Sequence, residues 1–209
     1  MESLLVGIPD LKKYPLHYIF EDLHLKEKDD TLWLEFGVAS GRTINYFSRF
    51  TEKNVYGFDS FEGLPEKWRD GYDKGAFNRN GIFPEVNSNV VLIKGWFSDT
   101  LVPFLKEKNK KVSFIHIDCD LYSSTKCIFN AVKDYLDDEC VILFDELVNY
   151  PGYTGETGEL LALYEFINET NMKFEWIGMN GFVGECKQEH RCGSQHEKVA
   201  LRFKGYGTG

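Results

Sequence analysis

The chain has 209 residues, 43% of them hydrophobic, which is enough to bury the core of one domain and excludes disordered and collagen-like chains. Its 33 acidic residues exceed its 24 basic ones, for a net charge of −9, so the basic footprint of a nucleic-acid binder or of a protein held to an anionic membrane is missing. No apolar run approaches the ~20 residues that span a bilayer, residues 1–7 lack the features of a secretory signal, and five cysteines are an odd number that suits reduced thiols; a cytoplasmic protein is expected.

Residues 1–30 read as a helical preface packed on the rim of a domain formed by 31–209. From there, short β-branched and aromatic runs alternate with amphipathic stretches. The expected strands cover 31–36, 54–58, 89–93, 112–117 and 139–144, with helices at 41–50, 99–108, 123–135 and 158–169. Residues 173–178 and 198–203 read as a closing antiparallel pair. This alternation predicts one doubly wound α/β domain, its sheet mainly parallel and covered by helices on both faces. Ligands of such sheets bind beyond the carboxyl ends of the strands, so the residues that follow each strand are the candidates.

After the first strand, Gly37 and Gly41 frame a turn into a helix, where glycine backbone and free N–H groups can approach a ligand. The spacing is neither Gly-x-Gly-x-x-Gly nor a P-loop, which disfavours NAD and ATP. The second strand ends at Asp59, about twenty residues past the glycine turn, where a carboxylate accepts ribose hydroxyls; a solvated turn residue is the plainer alternative. After the third strand, Gly95, Trp96 and Phe97 can border an adenine ring or simply fill the core. The fourth strand ends in Asp118 and Asp120, which start on one face, and the fifth in Asp145 and Glu146. Four converging carboxylates repel unless a cation such as Mg²⁺ compensates; alternatively Asp120 and Glu146 are helix N-terminal acids.

The runs Glu-x-Gly-x-x-x-Gly at 35–41, Phe-Asp-Ser-Phe-Glu-Gly-Leu-Pro at 58–65, Ile-Asp-Cys-Asp-Leu-Tyr-Ser-Ser-Thr at 117–125 and Phe-Asp-Glu at 144–146 together resemble class I S-adenosylmethionine-dependent methyltransferases. Within that class the chain is similar to the macrocin O-methyltransferase family, which acts on sugar hydroxyls in natural-product biosynthesis. The resemblance, over 31–203, implies a Rossmann-like sheet of about seven strands with the last one reversed. It implies S-adenosylmethionine as cofactor, with Glu35, Gly37, Ser40 and Gly41 at its methionine end, Asp59 and Ser60 at the ribose, and Gly95, Trp96 and Phe97 at the adenine. It further implies Mg²⁺ on Asp118, Asp145 and Glu146, Asp118 also facing the cofactor, although antibiotic-pathway members often carry Asp-Asp where this chain has Asp145-Glu146. The expected reaction is methyl transfer to a hydroxyl of a sugar-like small molecule, with Asp118 or Asp120 taking the proton.

Three rivals stand beside this reading: an N-methyltransferase, a nicotinamide-dependent oxidoreductase, and a non-catalytic protein that keeps the cofactor fold. Residues 60–89, rich in glycine and aromatic side chains, read as an acceptor-covering lid or an ordered surface insertion. Tyr150, Tyr153 and Glu159 could face the acceptor, whose identity is set by such loops and by a second subunit where a homo-oligomer forms. Cys186, His190, Cys192 and His196 cluster between the last two strands, irregularly spaced for zinc, and favour a polar hairpin loop. His116 reads as a core histidine that shares the phase of Asp118.

Overall fold

In the computed structural model, which describes residues 1–184 and 196–207, seven runs of β-branched and aromatic residues form strands. They are β1 Thr31–Phe36, β2 Val55–Asp59, β3 Val90–Lys94, β4 Lys111–Ile117, β5 Leu136–Phe144, β6 Met172–Met179 and β7 Val199–Tyr206. Their order is β3-β2-β1-β4-β5-β7-β6. All pairings are parallel except those of β7, which runs against β5 and β6. The expected mixed Rossmann-like sheet is therefore present, with only its last strand reversed.

Five short or long helical segments accompany the sheet: α1 Pro15–His17, α2 Arg42–Phe47, α3 Phe97–Lys108, α4 Tyr122–Val132 and α5 Gly158–Thr170. Alternation along each strand sends successive side chains to opposite faces. Leu34 and Phe36 of β1, with Ile115 and Ile117 of β4, pack under α3, α4 and α5, which contribute Leu101, Phe129 and Leu163. On the other face, Trp33, Phe114 and Leu143 pack against Ile44 and Phe47 of α2.

The first thirty residues do not sit on the rim, as their sequence suggests. Leu16, Ile19 and Phe20 are buried in the second face's core, and Phe20 lies 5.3 Å from Trp33, 5.2 Å from Phe114 and 5.0 Å from Phe50, ring centre to ring centre. The reason is coverage: a mainly parallel sheet needs both faces shielded, and α2, six residues long, cannot cover this face alone.

Several boundaries also differ from expectation: α3 starts at Phe97, α4 ends at Val132 and β7 runs on to Tyr206. The helix after β1 tightens into a 3₁₀ turn at Ser48–Phe50. β5 starts at Leu136, before three acidic residues, because its register against β4 jumps between Val112 and Phe114 and the extra residues bulge outward. Three of the four zinc candidates, Cys186, His190 and Cys192, fall outside the described residues; His196 Nδ1 lies 2.9 Å from the Asn180 carbonyl. Among the described residues, Cys119, Cys127 and Cys140 are free thiols, and no helix is long and apolar enough to cross a membrane.

Candidate active site

Beyond the carboxyl ends of β1, β2, β4 and β5 lies a cavity of about 490 Å³. Its first wall is the glycine turn. Gly37 has φ 89°, and a Cβ there would fall 1.7 Å from the Asp118 carbonyl oxygen, so only glycine lets the ends of β1 and β4 close together. Asp59 fixes the turn's shape: its Oδ2 accepts hydrogen bonds from the N–H groups of Val38 at 2.9 Å and Ala39 at 2.8 Å, and its Oδ1 accepts one from Phe61 at 2.6 Å. The sequence pointed to Asp59 as a ligand-facing acid; that it also ties β2 to the glycine turn was not legible, because the tie depends on the β1–β2 register.

Gly37, Ser40, Asp59, Ser60, Gly95, Trp96 and Phe97 all line the cavity, as do Asp118, Asp120, Asp145 and Glu146. Glu35 and Gly41 are not in its wall. Gly41 instead abuts the 60–89 loop, where a Cβ would meet Pro84 at 3.2 Å and Val86 at 3.3 Å. Trp96 is 39% exposed, while Phe97 stands edge-on to Phe36 at 5.4 Å.

The 60–89 loop closes one side of the cavity through Gly63, Leu64, Pro65 and Phe77. Asn45 anchors its far end, donating through Nδ2 to the Glu85 carbonyl at 2.9 Å and accepting from the Asn87 N–H at 2.8 Å. Its middle reaches α4 and the turn after β5: Ser123 Oγ donates to Glu66 at 2.6 Å, and Trp68 lies 5.9 Å from the Tyr150 ring. Tyr150, Tyr153 and Glu159 are not cavity-lining residues; Tyr150 backs the loop through Trp68 and is itself packed by Tyr153 at 5.3 Å, while Glu159 lies under Cys119.

Beneath the acids runs a row of charges that the sheet register creates. Glu35 and His116 are neighbours across β1 and β4. Nδ1 of His116 lies 2.8 Å from Glu35 Oε1 and Nε2 lies 3.3 Å from Asp145 Oδ1. Lys198 pairs with the other oxygen, Oδ2, of Asp145. Burial alone would depress the imidazole, but the hydrogen bonds to Asp145 and Glu35 outweigh it and push its pKa up to about 10, so His116 is a cation at neutral pH and donates to both acids. Burial likewise opposes ionisation of Asp145, yet Lys198 and then His116 hold its carboxyl well below the usual range. His116 is thus the satisfied core histidine expected, and Lys198 is the residue the sequence reading missed. A lysine at the start of a strand looks like a surface charge until β7's register places it opposite the residue after β5.

The remaining acids are shifted the other way. Burial, then the charge of Asp145, raises Asp118 and Glu146 well above ordinary carboxyls and brings Asp120 up to about 7. Asp120 adopts φ 62° and lies outside α4, whose N-cap is Leu121, so it is not a capping acid.

Glu159, fully buried in the first turn of α5, has Oε1 3.5 Å from the Cys119 N–H and no hydrogen-bond partner for Oε2 among the described residues. Burial, then the charge of Asp120, pushes its pKa up to about 8 from 4.5. The folded state therefore keeps this proton where the unfolded chain has lost it. The resulting stability is complete below the unfolded pKa and disappears as pH rises through about 8, at roughly 1.4 kcal/mol per pH unit in between. In Glu159→Gln, urea unfolding measured across that window is expected to show a pH slope smaller by one proton.

The expected Mg²⁺ set can be tested against these partners. Among the described residues, the ligand atoms that approach within 4.8 Å of one another belong to His116, Asp118 and Asp145, without Glu146. Both oxygens of Asp145 and both nitrogens of His116 already face charged partners. Mg²⁺ prefers oxygen ligands, one or two carboxylates with water completing the octahedron; here one member of the trio is an imidazole and Asp145 is already paired with two cations, which leaves Asp118 alone. The residues do not fit the ion.

Sheet order, the reversed strand and the glycine turn beside an acid-lined cavity define a class I S-adenosylmethionine-dependent methyltransferase fold. Residues 34–147 match the family model described as a methyltransferase domain, and the chain belongs to that family. A comparison with curated protein sequences gave no match. Among solved structures, the chain is similar to the calicheamicin methyltransferase CalS11, with a TM-score of 0.58 and 20% identity over 90% of this chain and 76% of that one. An apo structure of CalS11, described as a TDP-rhamnose 3'-O-methyltransferase of calicheamicin biosynthesis, gives a TM-score of 0.52 and 21% identity over 90% and 76% of the two chains. The O-methyltransferase NovP gives 0.55 and 18% over 84% and 72%. At these identities the likeness speaks for the fold.

Proposed function

We propose that this protein transfers the methyl group of S-adenosylmethionine to a hydroxyl oxygen of a small molecule of sugar-like type, in the manner of the macrocin O-methyltransferase family. The observation that carries this reading is the acid-lined cavity beyond the strand ends, with the glycine turn on one wall and exposed Trp96 on another. The strand-end carboxyls on its floor, with Asp59 beside the glycine turn, offer hydrogen-bond acceptors to the ammonium and ribose groups of such a cofactor. The O-methyltransferase names attached to CalS11 and NovP favour oxygen over nitrogen as the acceptor atom and, for CalS11, a sugar.

When bound, the cofactor supplies a methyl group already activated on sulfur. Gly37 and Ser40 then face its amino-acid end, Asp59 and Ser60 its ribose, and Trp96 and Phe97 its adenine. Asp59 keeps lone pairs on Oδ1 beyond the Phe61 contact, because a carboxylate oxygen accepts more than one hydrogen bond. Asp120, brought up to about 7, is balanced between its two protonation states near neutral pH and is suited to take the hydroxyl proton as the oxygen loses it; Asp118 stands beside it. The 60–89 loop closes one side of the cavity, and with cofactor and acceptor filling the rest the acceptor oxygen rather than solvent meets the methyl group.

Calorimetry on the full chain tests the reading: S-adenosylmethionine is expected to bind and NAD is not. Binding of NAD alone would replace the reading with an oxidoreductase. With cofactor bound, a panel of nucleotide sugars and of amines is expected to give methylated hydroxyls by mass spectrometry. Methylation confined to the amines would overturn the choice of oxygen.

A further inference from the structure

We infer that the fixed cation of this site is Lys198, and that Lys198 takes the place of a divalent metal among the acids that follow β4 and β5. The inference deepens the methyl-transfer reading, on which it rests for the role of the cavity. Its physical basis is the sheet itself. Val199 pairs with Phe144 across the antiparallel β5–β7 ladder, so the next pair outward sets Lys198 against Asp145. The ion pair is thus placed by backbone register and not by a side chain free to wander.

Lys198 is also shut in. It is 5% exposed, and its ammonium lies 5.7 Å from the centre of the Tyr14 ring, which the N-terminal segment lays over this face of the sheet. His116 occupies the other oxygen of Asp145 and is itself held by Glu35. A metal ion entering here would have to displace one of two buried cations from Asp145. Displacing Lys198 would break its buried ion pair with Asp145, and displacing His116 would cost it one of its two acid partners, a loss that is expensive in the interior. Lys198 does not line the cavity, so it is a positioning residue. It fixes the orientation and charge of Asp145, and the acceptor hydroxyl is left to the carboxylates above.

The test uses metal alone as the probe. Wild-type protein is titrated with MgCl₂ by calorimetry and with MnCl₂ by electron paramagnetic resonance, alongside Lys198→Met and Lys198→Arg. Wild type and Lys198→Arg are expected to bind neither ion below millimolar concentration, and EDTA to leave the melting temperature of the wild type unchanged. Lys198→Met keeps most of the stem without the charge, and is expected to gain a Mn²⁺ site at least about tenfold tighter than any in wild type. Binding of one Mg²⁺ or Mn²⁺ by the wild type at submillimolar affinity, lost in Asp118→Asn, would overturn the inference. So would a folded Lys198→Met with no gain. If Lys198→Met does not fold, the wild-type titration decides alone. Cofactor is absent from these titrations, so failure to bind S-adenosylmethionine would sink the methyl-transfer reading by itself, separately from this result.

Discussion

Gly37→Ala is expected to abolish cofactor binding and to destabilise the protein by more than about 4 kcal/mol, a loss reserved for severe backbone or core conflicts. The added Cβ would sit 1.7 Å from the Asp118 carbonyl oxygen, and that atom belongs to backbone locked into the sheet, since the Asp118 N–H donates to the Phe36 carbonyl at 2.9 Å. Neither strand end can yield without breaking the ladder. The positive φ adds a smaller penalty of about 1 kcal/mol. Gly7→Ala separates the two effects, because Gly7 has φ 81° with nothing within 4 Å of its missing Cβ and is expected to show only the smaller one. Urea unfolding and calorimetry with S-adenosylmethionine measure both variants; a fully stable, cofactor-binding Gly37→Ala would show that β1 and β4 do not meet this way.

Asp59→Ala is expected to weaken S-adenosylmethionine at least about 100-fold, or roughly 2.7 kcal/mol, while costing less in stability. Three N–H groups, of Val38, Ala39 and Phe61, lose their acceptor at once. Hydrogen bonds to a charged acceptor are worth about 1.5–3 kcal/mol each when the donors stay dry, but the cavity admits water to part of this turn. Stability therefore falls by less than the sum, and the main loss is the set shape of the glycine turn together with the ribose acceptor. Asp59→Asn gives the intermediate case. Its single carbonyl oxygen can serve Val38 and Ala39, but its amide then turns a donor towards the Phe61 N–H. Equal cofactor affinity in wild type and Asp59→Ala, by calorimetry, would remove Asp59 from the site.

Most of the sheet was legible because its strands are short, apolar and separated by recognisable turns. β1 spans the residues its pattern predicts, Thr31–Phe36. β5 was read late because Asp137, Asp138 and Glu139 break its apolar pattern, and they belong to a bulge that only pairing with β4 creates. The place of the first thirty residues is hidden from the sequence for a related reason. Phe20 and Ile19 are apolar enough to be core, but which face lacked cover depends on how little of it α2 occupies. In the site, Asp59 ends its strand and Asp118 and Asp145 stand directly after theirs, where ligand-facing residues of this architecture collect. Gly41 was drawn in by the same logic, yet it makes room for Pro84. Lys198 and the pairing of Glu35 with His116 escaped, since both arise from residues far apart in sequence that meet through register.

The reversal of β7 has a consequence for how this site can change over time. In an all-parallel sheet, every side chain at the reactive edge comes from the exit of a strand, and each is followed by a loop free to vary in length. Because β7 enters the sheet at that edge, the residue just before it, Lys198, is delivered by the incoming chain. Its position is set by where a hairpin begins. A one-residue insertion between Lys198 and Val199, or loss of Lys198 itself, would thus change the charge opposite Asp145 while leaving the walls of the cavity in place, a change in the electrostatics of the centre made without touching any residue that faces the ligand.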